Sequence, residues 1–220
     1  MKITIFGAAL LLAAGLAPAQ QKQAKQPNPA FAAVRDKPGL PRVLLIGDSI
    51  SIGYTLPVRK LLDGNANVHR PPANAAHTRN GLAKLDEWLG AGKWDAIHFN
   101  WGLHDLRHMD DGKVQVPLDE YERNLDAIVS RLKKTGARLI FATTTPYPEG
   151  VTPVRIPADC RRYNEAALRV MNKHGVEIDD LHAFVLPRMA ELQRPLNVHF
   201  TDAGSAALAA EVVRSIQRGK

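Results

Sequence analysis

The stretch Arg42-Val43-Leu44-Leu45-Ile46-Gly47-Asp48-Ser49 decides how the rest of the chain is read. An apolar run of strand length stops abruptly at a glycine, an acid and a serine. Its continuous apolar character, without polar alternation, suits a strand buried on both faces of a parallel sheet. Ser49 then stands just past the carboxyl end of that strand, the edge at which open α/β sheets bind ligands. Similar runs recur at 96–99 and 139–142, with weaker ones at 66–69 and 176–178.

Helical patterns lie between these runs. Leu118, Tyr121, Leu125, Ile128, Val129 and Leu132 recur at three- and four-residue spacing and make one apolar stripe. Lysines 133 and 134 suit its last turn and Gly136 its stop. Leu82, Leu85 and Leu89 mark another helix; Ala166, Leu168, Val170 and Met171 a third, ending near Gly175; Leu208, Val212, Val213 and Ile216 the last. Strand alternating with helix predicts the α/β class, as a three-layer α/β/α sandwich around a central, mostly parallel sheet. On that plan Ser49 follows the first strand, His104 and Asp105 the third, and residues 143–147 the fourth, while His199 precedes the final helix. All of them converge on one edge of the sheet.

The chain of 220 residues fits one domain once its ends are trimmed. Lys2, an apolar run over 3–16 and the small residues Ala17-Pro18-Ala19 read as a secretory signal peptide over residues 1–19, cut after Ala19. The run is too short to span a membrane comfortably. The expectation is therefore export to the periplasm or beyond, with no stable membrane insertion after cleavage. Residues 20–41, rich in Gln, Lys, Ala and Pro, read as a flexible polar leader, and 42–218 as the folded domain. Cys160 is the single cysteine, so no intramolecular disulfide forms, and it reads as a packing residue. The net charge of +7 comes from scattered Lys and Arg residues without a nucleic-acid motif, which describes a solvated basic surface.

A serine hydroxyl is a poor nucleophile until a neighbouring base takes its proton. Val198-His199-Phe200, near the end of the chain, offers that base. The pair points to nucleophilic catalysis by Ser49 with His199. Gly47-Asp48-Ser49-Ile50-Ser51 is not the Gly-x-Ser-x-Gly elbow of the α/β-hydrolases, because position 51 is serine.

The domain resembles the SGNH or GDSL hydrolases. Gly47-Asp48-Ser49 looks like their first block, Asn74-Ala75-Ala76 like the second (usually Asn-x-Gly), Gly102-Leu103-His104-Asp105 like the third (usually Gly-x-Asn-Asp), and Val198-His199 like the end of the fifth (usually Asp-x-x-His). The resemblance implies a serine esterase without cofactor or metal. Ser49 would be its nucleophile and His199 its base. The Ser49 and Ala76 amides, with His104 or Asn100, would form the oxyanion hole, and Asp48, Asn74, Asp105 and Asn197 would support the loops.

Three departures shape that reading. Ala76 replaces the second-block glycine and keeps an N–H. His104 replaces an asparagine and can donate from a ring nitrogen. Leu196 stands where the family acid usually does, so the orienter of His199 is uncharged, with Asn197 offering its side-chain oxygen as in the Cys-His-Asn proteases. Asp202, three residues after His199, reads as a first-turn helix residue behind a Thr201 cap. His104 and His108 at four-residue spacing do not by themselves make a metal site. His69, His98, His174 and His182 show no partner in the sequence, and Trp101 reads either as core or as a stacking surface for a sugar ring.

Resemblance together with export implies a small-molecule or glycan ester as substrate, with removal of acetyl or other short acyl groups from carbohydrate as the leading reading. A lipid or thioester acylhydrolase is the first alternative. A weakly active or noncatalytic glycan-binding relative is the second.

Overall fold

The computed structural model describes residues 27–218, so the signal segment and residues 20–26 lie outside the described residues. Five strands form one sheet: β1 Arg42–Ile46, β2 Asn67–His69, β3 Ala96–Phe99, β4 Arg138–Ala142 and β5 Glu177–Asp179. Their order is β2-β1-β3-β4-β5, and every pairing is parallel. Among the described residues seven helices connect and cover them: α1 Ser49–Leu61, α2 Thr78–Leu89, α3 Leu118–Lys133, α4 Pro157–His174, α5 Leu181–Val185, α6 Met189–Leu192 and α7 Asp202–Gln217. α1 packs on α7, while α2, α3 and α4 pack in series. This is the three-layer α/β/α sandwich the apolar pattern predicts. Val43 to Ile46 are buried, as are all four residues of β3, because helices cover both sides of those strands.

The chain steps from β1 outward to β2 and then back across β1 to β3. That reversal opens a crevice at the carboxyl ends of β1 and β3, where Ser49 and the loop after Phe99 emerge. The long helices follow their sequence signals. The predicted stripe of α3 is buried at Tyr121, Leu125, Ile128, Val129 and Leu132, and α4 ends at Gly175 in the left-handed conformation. Thr201 caps α7 through its hydroxyl, which accepts from Gly204 N–H at 3.0 Å.

Gly204 is where α7 meets the end of α6. A Cβ built there would lie 2.1 Å from the Leu192 carbonyl oxygen, and that oxygen also accepts from Thr201 N–H at 2.9 Å. Neither backbone can yield without disturbing the loop that carries His199. Gly204→Ala is expected to cost about 1–3 kcal/mol through overpacking. A thermal melt would show it as a Tm lower by roughly 2–4 °C per kcal/mol for a chain of this size; an unchanged Tm would show that the α6–α7 contact relaxes freely.

Residues 27–41 correct the flexible-leader reading. Asn28 caps a short 3₁₀ turn at Pro29–Phe31, and Ala30 is buried. Arg59, in the last turn of α1, donates Nε to the Val68 carbonyl on edge strand β2, at 3.1 Å, and its Nη groups to the Pro29 and Ala32 carbonyls. The Asn67 side chain exchanges hydrogen bonds with the Lys37 backbone at 2.9 and 3.0 Å. Asp36 pairs with Arg42 at 2.8 Å and with His69 at 2.6 Å. Polar composition hid this arrangement because the segment is held by polar contacts with residues distant in sequence, not by an apolar stripe. Among the described residues no helix is long and apolar enough to cross a membrane.

Candidate active site

The site begins where β1 gives way to α1. Asp48 is extended and caps the helix, its Oδ1 accepting from Ile50 N–H at 2.8 Å. Ser49 is thereby the first helical residue, and its backbone N–H has no intrahelical acceptor. The Gly47 carbonyl is fixed by Arg70 Nη2 at 3.2 Å and by Ala75 N–H at 3.1 Å. The buried Arg70 guanidinium also reaches Ser51 Oγ at 3.2 Å and Thr55 Oγ1 at 2.8 Å, and burial pulls its pKa down to about 10.

His199 comes to Ser49 from the other side of the crevice. Its Nε2 lies 2.8 Å from Ser49 Oγ, and its Nδ1 lies 2.7 Å from Asn197 Oδ1. The same Asn197 oxygen accepts from the His199 backbone N–H at 2.9 Å. The backbone donor settles which end of the amide faces His199, because an NH₂ group there would oppose an N–H. The oxygen in turn requires hydrogen on Nδ1, leaving the Nε2 lone pair for the serine hydroxyl. Leu196 makes this turn with a left-handed φ of 49° and a side chain thrown into solvent at 69% exposure. Asn197, two residues before His199, thus fills the place at Nδ1 that an acid three residues before usually takes. The loop is held by Gln193 Nε2 donating to the Pro146 carbonyl at 2.6 Å and by Arg194 N–H donating to the His199 carbonyl at 3.0 Å.

His199 is half-buried, and burial pushes its pKa below the ordinary histidine value; Asp48 opposes the shift, while Arg194 and Arg155 add to it. An open cleft of about 340 Å³ runs past the pair, its lining made up of the apolar Ile50, Leu56, Pro57 and Phe200 and the polar Arg194, Asp202 and Ser205.

The oxyanion candidates divide. The Ala76 N–H donates to Asn74 Oδ1 at 2.8 Å, with Ala76 itself left-handed at φ 51°, so this donor is occupied. Asn100 commits one Nδ2 hydrogen to the Ala142 carbonyl at 2.8 Å. The half-buried His104 ring makes no hydrogen bond among the described residues, and burial lowers its pKa, so that at neutral pH it is an uncharged imidazole with one N–H to give. The donors left are the Ser49 amide, the His104 ring and the second Nδ2 hydrogen of Asn100. Sequence could not show this, because the capture of the Ala76 amide depends on the fold of its own loop.

Asp105 anchors that region as a support. Its Oδ1 accepts from Thr78 N–H at 2.8 Å and from Thr78 Oγ at 2.6 Å, and burial raises its pKa to about 6. Trp101 is fully buried, so the core reading holds and the sugar-stacking one falls. His108 pairs with Asp159 at 2.8 Å. His69, His98 and His174 do have partners, namely Asp36, Asp179 and Asp126, each within 2.6–2.9 Å. Among the described residues no group of three or more His, Cys, Asp and Glu side chains is placed to hold a metal ion. Cys160 is buried, its thiol pKa pushed up to about 12, with Sγ 3.5 Å from the Thr144 and Thr145 carbonyls.

Three residues near the site went unmarked in the sequence. Arg70 is one. Arg155, also buried, donates Nε to the Leu103 carbonyl at 2.8 Å and so ties its loop to the one carrying His104. His77 caps α2 with Nδ1 accepting from Asn80 N–H at 3.3 Å. No local pattern signals them, since each acts on a loop rather than within a motif.

Comparison with known proteins agrees with the geometry. Residues 45–207 match the model of the GDSL-like lipase/acylhydrolase family. No match was found among curated proteins. Among solved structures, the lipase/acylhydrolase from Enterococcus faecalis is similar at 20% identity and a TM-score of 0.69, over 80% of this chain and 95% of that one. Axe2, an acetylxylan esterase from Geobacillus stearothermophilus, is similar at 24% identity and a TM-score of 0.67, over 80% of this chain and 94% of that one. The acetyl xylan esterase AlAXEase gives 16% identity and a TM-score of 0.68, over 80% and 99%.

Proposed function

The chain belongs to the GDSL-like lipase/acylhydrolase family, and from that premise we propose that it is an exported serine esterase that removes acetyl or other short acyl groups from carbohydrate. The observation that carries the chemistry is the relay Ser49 Oγ to His199 Nε2 at 2.8 Å and His199 Nδ1 to Asn197 Oδ1 at 2.7 Å. In it Ser49 attacks the ester carbonyl while His199 takes its proton. The Ser49 amide, the His104 ring and the second Nδ2 hydrogen of Asn100 are the donors for the oxygen that becomes negative. His199 then returns the proton to the leaving alcohol and activates water against the acyl-enzyme. No cofactor enters any step.

The substrate class rests on likeness and on cleft shape. Acetylxylan esterases stand among the similar folds, and the cleft is open, with polar as well as apolar side chains in its lining. An enclosed apolar channel would favour a lipid substrate instead. Export rests on the signal segment alone.

A fluorophosphonate probe tests the reading directly. Labelling of the wild type and release of acetate from acetylated xylan are expected. A wild type that resists the probe under conditions where related esterases react would return the protein to the noncatalytic class. The base also sets a pH dependence. Protonated His199 cannot accept the serine proton, so kcat/KM falls as pH drops through its pKa. Because burial lowers that pKa, the acidic limb should have its midpoint below the ordinary histidine value of about 6.5, with a plateau above. A midpoint above 7 would contradict the burial argument.

A further inference from the structure

Resting on the hydrolase reading above, we propose that Asp48 is a positioning residue that supplies, through space, the negative charge the Ser49–His199 pair lacks. When His199 takes the serine proton it becomes an imidazolium, and a triad acid ordinarily stabilises that cation. Here Nδ1 faces a neutral amide, and among the described residues the ring's hydrogen-bond partners are Asn197 and Ser49. By contrast, His69, His98, His108 and His174 each contact a carboxylate within 2.6–2.9 Å.

The charged groups facing His199 come from four places. Asp48 caps α1, Arg194 belongs to the histidine's own loop, Arg155 lies in the loop before α4, and Asp202 opens α7 on the cleft rim. The two arginines oppose an imidazolium. Asp202 is exposed, so water and salt screen it. Asp48 differs on every count. It is 2% exposed and immediately precedes the serine that touches the ring. No arginine or lysine forms a contact ion pair with it among the described residues. Its Oδ1 is held by Ile50 N–H at 2.8 Å. The side chain borders a cavity of about 10 Å³, shared with Asn100, Thr143 and Thr145. The buried Arg70, which holds the neighbouring Gly47 carbonyl, and Arg155 feel the charge of Asp48 without such a contact, and the influence of the Asp48 carboxylate on His199 is upward.

The test compares three chains in parallel: wild type, Asp48→Asn and Asn197→Asp. Asparagine caps a helix as well as aspartate does, so Asp48→Asn removes charge and keeps the bond to Ile50. The His199 ring is followed by NMR titration and assigned against His199→Gln. In Asp48→Asn the His199 midpoint should fall by about one pH unit and kcat by about tenfold. In Asn197→Asp the midpoint should rise, and Asp48→Asn combined with Asn197→Asp should regain the lost turnover. A His199 midpoint unmoved in Asp48→Asn, while Asn197→Asp moves it, would overturn the proposal. Should Asp48→Asn not fold, Asp48→Ser, which caps through its hydroxyl, makes the same measurement. The titration needs no turnover, so a wild type inert to fluorophosphonate defeats the hydrolase reading, whereas an unmoved titration defeats only the role of Asp48.

Discussion

Ser49→Ala should lower turnover on a small acetyl ester by on the order of 10⁶, the loss seen when a serine nucleophile is deleted from another hydrolase. The size of the effect follows from position. Ser49 Oγ is the group on the Nε2 side of His199, so its removal deletes the covalent step rather than weakening it. The remaining donors, the Ser49 backbone amide, His104 and Asn100, can still polarise a carbonyl, and they set a floor above the uncatalysed rate. Folding should be spared. Alanine is the best helix former, and the Asp48 cap bonds to Ile50, not to the serine side chain. Kinetics with p-nitrophenyl acetate, beside a thermal melt, decide the matter. A folded variant that keeps more than about 1% of wild-type turnover would be incompatible with a loss of that size, and the nucleophile would have to be sought elsewhere.

Asn197→Ala is the second large effect, a fall in kcat of about 10²–10⁴. The upper figure is what a misdirected tautomer costs a serine protease. Removing Oδ1 abandons two donors at once, the backbone N–H and the ring Nδ1–H of His199. The ring is then free to turn and to place its proton on Nε2, where it faces the serine uselessly. The loop is tied independently through Gln193 and Arg194, so the loss should fall on kcat and not on Tm. Asn197→Asp keeps the acceptor and adds charge, and it should match or exceed the wild type. If Asn197→Ala had wild-type kcat, another group would be orienting His199.

The fold was legible where structure is local and apolar. The runs in β1, β3 and β4 and the stripe of α3 declare themselves because burial on a regular element repeats at a fixed period. α1 did not. Its buried face includes Ser51 and Thr55, turned toward Arg70, and Gly53 and Pro57 interrupt its interior. Its buried Ile50, Tyr54 and Val58 do recur at four-residue spacing, but the polar residues turned to a buried cation share that face and obscure the stripe. The histidines make the same point. His98 meets Asp179 from 81 residues away, and no spacing rule reaches that far. The site was legible in part for matching reasons. Ser49 and His199 are 150 residues apart, yet strand-edge logic sends both to one place. Asn197 was within sight because it acts two residues from its target. The free oxyanion donors were not, since freedom depends on which neighbours have already claimed an amide, as Asn74 has claimed that of Ala76.

The clasp that Arg59 forms between Val68 and the Pro29 and Ala32 carbonyls has a practical reach beyond catalysis. β2 is the outermost strand on its side, and an outermost strand offers hydrogen-bonding groups to any passing chain. A recombinant product trimmed to the hydropathic start at Arg42 would discard the segment lying over that flank and invite self-association between molecules. The sensible unit for expression, crystallisation or display on a surface therefore begins at or before Asn28.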